Sequence, residues 1–442
     1  MFFGIIFIMK RLFLIIFFLI IIQPSTLAIQ NTQKVYLNQA IEAALNNNID
    51  LQATKLNGTI AKNEVKAANR LQNPSFDAFY FMGAAGNEEP KQFGLSENFE
   101  IAKRSARKNL AKSNLKLVEK NIDYTIFDLK MDVREAYINL VAAKSILFTL
   151  EQQQELQEEL LKIAKNKVKN NHAPDIDVIQ AEIALNQMIT QVNSARVNVK
   201  KALAEFNKVI NDPHDIQYDS MDNIFDEENN YTEMMTPSPE YTFPSFDSIL
   251  QKALSHRFDI QIAKQEIDLA EKNLTLVARQ RIPDLQVSGG YAYQLGRYSN
   301  SGNYNNGAYI GASLVNLPLL YNFTPEIKNA AIKLEQAELK YTSAQNRAVK
   351  DVSAAYERFL TAADNLNHYE KNIVTGSEAL IETSKKSYEA GKSDITSLIV
   401  MKQSYKSIII GYTQALAEYY NSWTNFLREV NDENFTLPDN LL

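Results

Sequence analysis

The chain contains no cysteine among its 442 residues. That absence excludes disulfides, thiolate metal centres, thiol nucleophiles and a lipid-anchored N-terminal cysteine. Its 4 histidines, at 172, 214, 256 and 368, are scattered, and no HxxxH or HxxE spacing pairs one with a second ligand. The expectation is therefore no metal site, no cofactor and no histidine-based catalysis. GxSxG and GxxxxGK[ST] are also missing, so neither an esterase nor a nucleotidase motif supports an enzyme. Lysine and arginine (46) fall short of aspartate and glutamate (52), and no long basic block occurs, which argues against nucleic acid as a partner. Glycine (14) and proline (12) are scarce, so the chain has few turns and long elements. A mean hydropathy of −0.28 excludes a polytopic helical membrane protein. Past the N-terminus no apolar run approaches the ~20 residues of a membrane-spanning helix, so any membrane insertion requires a closed β-barrel.

What is present begins with an export signal. Lys10 and Arg11 precede the apolar run Leu12 to Ile22, and Thr26-Leu27-Ala28 supplies small residues for cleavage after residue 28. Met9 is an alternative start, and an uncleaved anchor is the competing reading.

The remainder is written twice. Shifted by 209, Leu37–Pro74 falls on Phe246–Pro283 without a gap; Ala44, Leu45, Asp50, Gln52, Arg70 and Pro74 meet Ala253, Leu254, Asp259, Gln261, Arg279 and Pro283. Shifted by 219, Val133, Ala136 and Tyr137 meet Val352, Ala355 and Tyr356, and Asp175-Ile176 meets Asp394-Ile395. The expected place for the extra residues is the loop Tyr298–Asn306. A first repeat over 29–210 and a second over 246–430 then flank an acidic link, 211–245, expected as an irregular belt outside the helices, with a tail at 431–442.

Each repeat reads helix, hairpin, long helix, turn, return helix. The opening helices cover 38–72 and 247–281 and stop before a proline, which favours extended geometry just upstream. Hairpins come next, at 75–101 and 284–320. Leu285, Val287, Tyr291 and Tyr293 alternate with Gln286, Ser288, Gly290 and Ala292, as Phe93, Leu95 and Phe99 do with Gln92, Gly94, Ser96 and Asn98. Period two with one apolar face marks half-buried strands. The long helices span 102–171 and 326–390. Ile122, Ile126, Leu129, Val133, Ala136, Leu140, Ala143, Leu147 and Leu150 keep a strict 4-3 spacing, and Val352, Ala355, Phe359, Ala362, Leu366, Tyr369 and Ile373 do the same. That is a coiled-coil seam. At ~1.5 Å per residue, the first helix is on the order of 105 Å long. Return helices 175–210 and 393–430 run back; in the first repeat the return helix laid end to end with the opening helix matches the long one in length, so each half is expected as one unbroken rod beside one rod of two stacked pieces. Four strands per chain fall short of the ~8 in the smallest filled barrel, so a membrane barrel needs several chains. The competing reading is a soluble sheet capping a helical bundle.

Together the export signal, duplication, hairpins and long heptad helices resemble the TolC-type outer-membrane efflux family. LNQAIEAALNNNIDLQA is similar to its opening helix, and GLSENFEIAKRSARKNLAKSNL and LVNLPLLYNFTPEIKNAAIKLEQAELKY to the strand-to-helix passages of its heavy-metal cation branch. KVKNNHAPDIDVIQAEIALNQ and SYEAGKSDITSLIVMKQ resemble its two hairpin tips. The resemblance implies a mainly α fold with β: a trimeric helical tunnel in the periplasm continuous with a twelve-stranded barrel in outer-membrane lipid. It implies a homotrimer, a periplasmic adaptor, an inner-membrane pump of RND or ABC type, and a passive duct, with metal cations as one candidate cargo. Adaptor contact and gate fall on the tips: Asn171, His172, Ala173, Pro174 and Asp175, and Gly391, Lys392, Ser393 and Asp394. Asn171-His172 replaces the family's tip glycine, and Ser397 and Val400 stand where some members carry an acidic ring. Asp175, Asp177 and Asp394 lie close by and are expected to cap helix N-termini. A trimeric coiled-coil surface protein and a soluble periplasmic protein are the alternatives from other classes.

Overall fold

The computed structural model describes residues 31–80, 91–214, 216–225, 245–293, 306–390 and 392–432. The export signal, loop residues 298–305, link residues 226–244 and residues 433–442 of the tail lie outside them.

In the first repeat, β1 (Asn31–Val35) leads into α1 (Leu37–Asn47) and α2 (Ile49–Ala68), then β2 (Ser75–Tyr80), β3 (Lys91–Phe99), α3 (Lys103–Lys169) and α4 (Asp175–Ile210). After β4 (Ile216–Ser220) the second repeat gives α5 (Phe246–His256), α6 (Phe258–Ala278), β5 (Asp284–Tyr293), β6 (Gly307–Val315), α7 (Thr324–His368), α8 (Thr375–Glu389) and α9 (Ile395–Val430). A single 67-residue helix, α3, answers the unbroken seam on the first side and is about 100 Å long.

Both opening helices are split, which the sequence did not show. The first breaks at Asn48, where Asn48 Oδ1 accepts from Leu51 N at 2.8 Å and starts α2 afresh. There the C-terminus of α4 meets the N-terminus of α2: Asn48 Nδ2 donates to Val209 O at 2.9 Å, and Ile49 N to Asn211 O at 3.3 Å. Arg257 makes the equivalent joint, donating to Glu429 O at 2.8 Å while Phe258 N donates to Asn431 Oδ1 at 2.7 Å. Asn211 and Asn431 both take the left-handed conformation, φ 49° and 56°, that asparagine tolerates when ending a helix. Head-to-tail stacking sets the negative end of one helix dipole against the positive end of the next. Each repeat is thus one long rod beside one stacked rod. The stacked rod holds α4 with α2, or α9 with α6, while α1 and α5 turn aside.

The link contains a strand, which corrects the irregular belt over that stretch. β4 pairs in parallel with β1, Asn31 opposite Ile216 through Val35 opposite Ser220, and Tyr218 and Ser220 are buried. Six helices and this ribbon meet around the main core. Tyr137, Phe206, Phe359, Tyr419, Tyr420 and Phe426 are fully buried there, and the Phe359 ring meets that of Trp423 at a tilt, centroids 5.1 Å apart. Val133 and Leu140 of the α3 seam lie in this core, and Ile122, Ile126, Leu129, Ala136 and Leu147 are half-buried. In α7, Val352, Ala355, Phe359, Ala362 and Leu366 are all buried.

At one end sits an antiparallel sheet in the order β2-β3-β5-β6. Its register places Phe76, Phe93, Leu95, Phe99, Val287, Tyr291, Ile310 and Leu314 on one face. Asp77, Gln92, Ser96, Asn98, Gln286, Ser288 and Ser313 occupy the other. Phe76, Leu95, Ile310 and Leu314 are largely exposed although apolar. Gly94 and Gly290 lie opposite each other under the Tyr309 ring, where a Cβ on either would collide with the facing strand. Arginines bind the sheet's base to the rods. Arg104 donates to Asn69 O at 2.8 Å, Arg107 to Ala68 O at 3.0 Å, and Arg279 to Ala102 O at 3.0 Å.

Candidate contact and gate site at the helical tips

Because α3 starts beside the sheet, with Lys103 paired to Asp284 at 2.8 Å, its other end and the turn into α4 lie some 100 Å away. At that end His172 N donates to Lys167 O at 2.8 Å and Asn171 N to Val168 O at 2.9 Å, with Asn171 at φ 58°. This six-to-one closure is the usual helix stop with a left-handed residue, here Asn in place of Gly. The second turn closes alike, Lys392 N donating to Ser387 O at 2.9 Å. Gly391 lies outside the described residues. Asn171, His172, Pro174, Asp175, Lys392 and Asp394 are exposed, and Ala173 and Ser393 are half-buried.

The capping expectation holds for one aspartate of three. Asp394 Oδ1 accepts from Ser397 N at 3.1 Å; hydrogen bonding from the Ser397 side chain and then from this backbone N–H holds its carboxyl below the usual range. Asp175 and Asp177 sit inside the first turn of α4, after Pro174, and cap nothing with their side chains. Burial, then the Asp394 charge, pushes Asp177 up against the pull of Lys167. The two tips are therefore neighbours.

Several bonds join the two hairpins, and composition alone gave no sign of them. Lys167 Nζ donates to Tyr388 O at 2.6 Å and lies 3.9 Å over the Tyr388 ring. Thr396 bonds Gln180 at 3.0 Å, and Lys406 bonds Gln191 at 2.8 Å. Around them Leu160, Ala164, Ala181, Ile395 and Leu398 form a small core.

The seam of the second long helix is interrupted, contrary to the continuous helix expected over 326–390. Tyr369–Val374 forms a π-helical turn between α7 and α8. Such a turn takes up an extra residue and rotates the helix downstream of it. Continuing the 4-3 spacing from Leu366 would place Leu380 and Ser387 in the seam. Instead Leu380 is 52% exposed and Tyr388 is 3% exposed, turned in beneath Lys167. The first repeat has no π turn: Leu150, Gln157 and Ala164 stay on its 4-3 seam and are buried, while Gln153 and Leu160 are buried one residue before its positions 154 and 161.

Opposite those glutamines, Lys402 of α9 is 6% exposed and donates to Leu156 O at 2.8 Å. Burial, with Lys385 adding repulsion and Glu159 attraction, lowers its amine to about 8. A lowered amine makes the charged form costly in the folded chain. Stability should therefore rise as pH climbs from about 8 to the unfolded value of 10.5. At about 1.4 kcal/mol per unit, the full effect is on the order of 3 kcal/mol. Lys402→Met should be more heat-stable than the parent at neutral pH, and the gap should shrink above pH 8. Thermal melts against pH check this; a gap independent of pH would refute it.

Among the described residues no group of three acidic or histidine side chains could hold a metal ion. Among the described residues, the seam and tip side chains supply packing and hydrogen bonds.

Residues 249–428 match the model of the family described as outer membrane efflux protein. No curated protein matches the chain. Among solved structures it is similar to the CmeC outer membrane channel of Campylobacter jejuni, at 17% identity and TM-score 0.68 over 91% of this chain and 87% of that one. The MtrE outer membrane channel of Neisseria gonorrhoeae, in its open state, gives 17% and 0.68 over 90% and 89%. CusC, whose structures concern folding and transmembrane channel formation, gives 13% and 0.72 over 90% and 92%. At these identities the likeness is one of fold, and it spans both repeats.

Proposed function

We propose, from a second repeat whose residues 249–428 match the outer membrane efflux protein family and a whole chain with the fold of outer-membrane channels, that this protein is the outer-membrane duct of a tripartite export system. The observation that carries the reading is the sheet. One face is largely apolar and exposed, Glu97 excepted, the other largely polar, Phe79 excepted, and the edge strands β2 and β6 each pair on one side only among the described residues. Open edges cannot face lipid, so copies must close the barrel. Three chains give twelve strands, with polar faces inward and apolar faces toward lipid.

The duct is passive: a continuous passage needs no catalytic step. An inner-membrane pump sets the cargo, and the resemblance of the strand-to-helix passages to the heavy-metal branch supports cations as its class. The tips, farthest from the barrel, meet a periplasmic adaptor. Opening separates α8 and α9 from α3 and α4, which breaks the bonds made by Lys167, Lys402 and Lys406, a motion of the shear type.

The protein should leave the membrane only with detergent and run as a trimer by light scattering; a detergent-independent monomer overturns the duct. With no native cysteine, introduced thiols cross-link without background. Asn171→Cys and Lys392→Cys should capture the adaptor and, when joined between protomers, abolish export. Asn306→Cys, at the opposite end, should do neither. Capture from Asn306 alone would invert the polarity.

A further inference from the structure

We propose that Asn316–Phe323, the junction between β6 and α7, is a lipid anchor that dips into the periplasmic-side leaflet of the outer membrane. The inference rests on the barrel reading above. The first repeat crosses from strand to helix in three residues, Glu100–Ala102, whereas the second uses eight. Some of the length that sets the two repeats apart thus lies here and not in the hairpin loop. That length is spent on apolar exposure. Leu320 is 102% exposed and Leu319 81%, with Leu317 and Tyr321 about half exposed.

The exposure is built and not a loose end. Asn316, at φ 60°, donates from Nδ2 to Asp284 Oδ2 at 3.0 Å, and the same carboxylate pairs with Lys103. Leu319 N donates to Leu317 O at 2.9 Å across Pro318, which has no N–H to satisfy. Arg281 closes the far side, donating to Asn322 O at 2.6 Å and to Thr324 Oγ1 at 3.0 Å. The Tyr321 hydroxyl donates to Glu326 at 2.7 Å, and its ring meets Phe323 edge-on at 5.4 Å. These bonds hold both ends of the knuckle to the protein, while the leucines between them are left to the surroundings.

Continuity identifies the occupant. Val315 is the last residue of β6, and Ile310 and Leu314 on that strand are exposed on the apolar face. The knuckle follows directly on this strand, between the sheet and the helices. That is the depth of the interface, where a tyrosine with an apolar ring and a bonded hydroxyl is at home. The other occupant to test is a neighbouring copy.

The test uses full-length trimers in liposomes of phosphatidylcholine and of its analogue dibrominated in the acyl chains. Trp423, buried in the equatorial core, is the one native tryptophan and gives a constant background. Leu320→Trp, with Leu319→Trp as a second position, adds a reporter without touching the core. Leu95→Trp reports the sheet face. Brominated lipid should remove most of the added emission at Leu320, Leu319 and Leu95. If Leu95→Trp is quenched but neither knuckle reporter is, a neighbouring copy or water covers the knuckle, and the anchor is refuted while the barrel stands. If Leu95→Trp is also unquenched, the barrel reading fails first.

Discussion

Leu140→Pro is expected to abolish trimer assembly. Leu140 is fully buried near the middle of α3, where the helix passes through the main core. A proline there removes one backbone bond and clashes with the preceding turn, costing ~3 kcal/mol or more. It also removes a side chain whose truncation alone costs about 2–5 kcal/mol. Leu140→Ala separates the two effects: it should lower the melting temperature yet still yield trimers. Detergent-extracted material resolved by size with light scattering gives the answer. Trimer from the proline variant would mean that α3 is not a continuous strut.

The second large effect is expected at Arg257. Its guanidinium lies 2.6 Å from Glu429 and 3.0 Å from Asp259, and it also donates to Glu429 O. Arg257→Met keeps the bulk but strips these carboxylates of their cation, at about 3 kcal/mol by the usual cost of breaking a buried pair. Asn48→Ala at the matching joint loses one cap and one tie to Val209, for which about 1–2 kcal/mol is typical. Urea melts of both variants should rank Arg257→Met as the more damaging. The reverse order would show that the charge cluster contributes little.

Those joints mark where sequence reading stopped. Long helices and half-buried strands announce themselves by period, so α3, α4, α9 and the sheet could be read directly. The breaks at Asn48 and Arg257 were missed because the apolar period runs across both and neither glycine nor proline intervenes, although Asn46-Asn47-Asn48 and Ser255-His256 are weak helix formers. The π turn was equally silent. Tyr369 stands there against Gly411, a fit that exists only once α9 is in place. Lys402 was more accessible. In α9 the series Ile395, Leu398, Lys402, Ile409, Thr413, Leu416, Tyr420, Trp423, Leu427 and Val430 keeps seam spacing, so the heptad rule places that lysine inside. Gln157 extends the α3 seam in the same way, whereas the buried Gln153 stands one residue before the next seam position. The tip turns were legible as turns, but the contacts between hairpins depend on side chains more than 200 positions apart, as Lys167 with Tyr388 shows.

The stacked rods also bear on the order in which the molecule takes shape. Each joint is closed within its own repeat, Asn48 to Val209 across 161 positions and Arg257 to Glu429 across 172. Neither requires the other repeat. A chain delivered N-terminus first can therefore complete the first joint once residue 211 has emerged, while the second repeat is still in transit. The sheet cannot do so, because β3 must wait for β5. The tunnel wall thus begins to form before the strands can pair across repeats, which limits the time that the apolar sheet face spends in water.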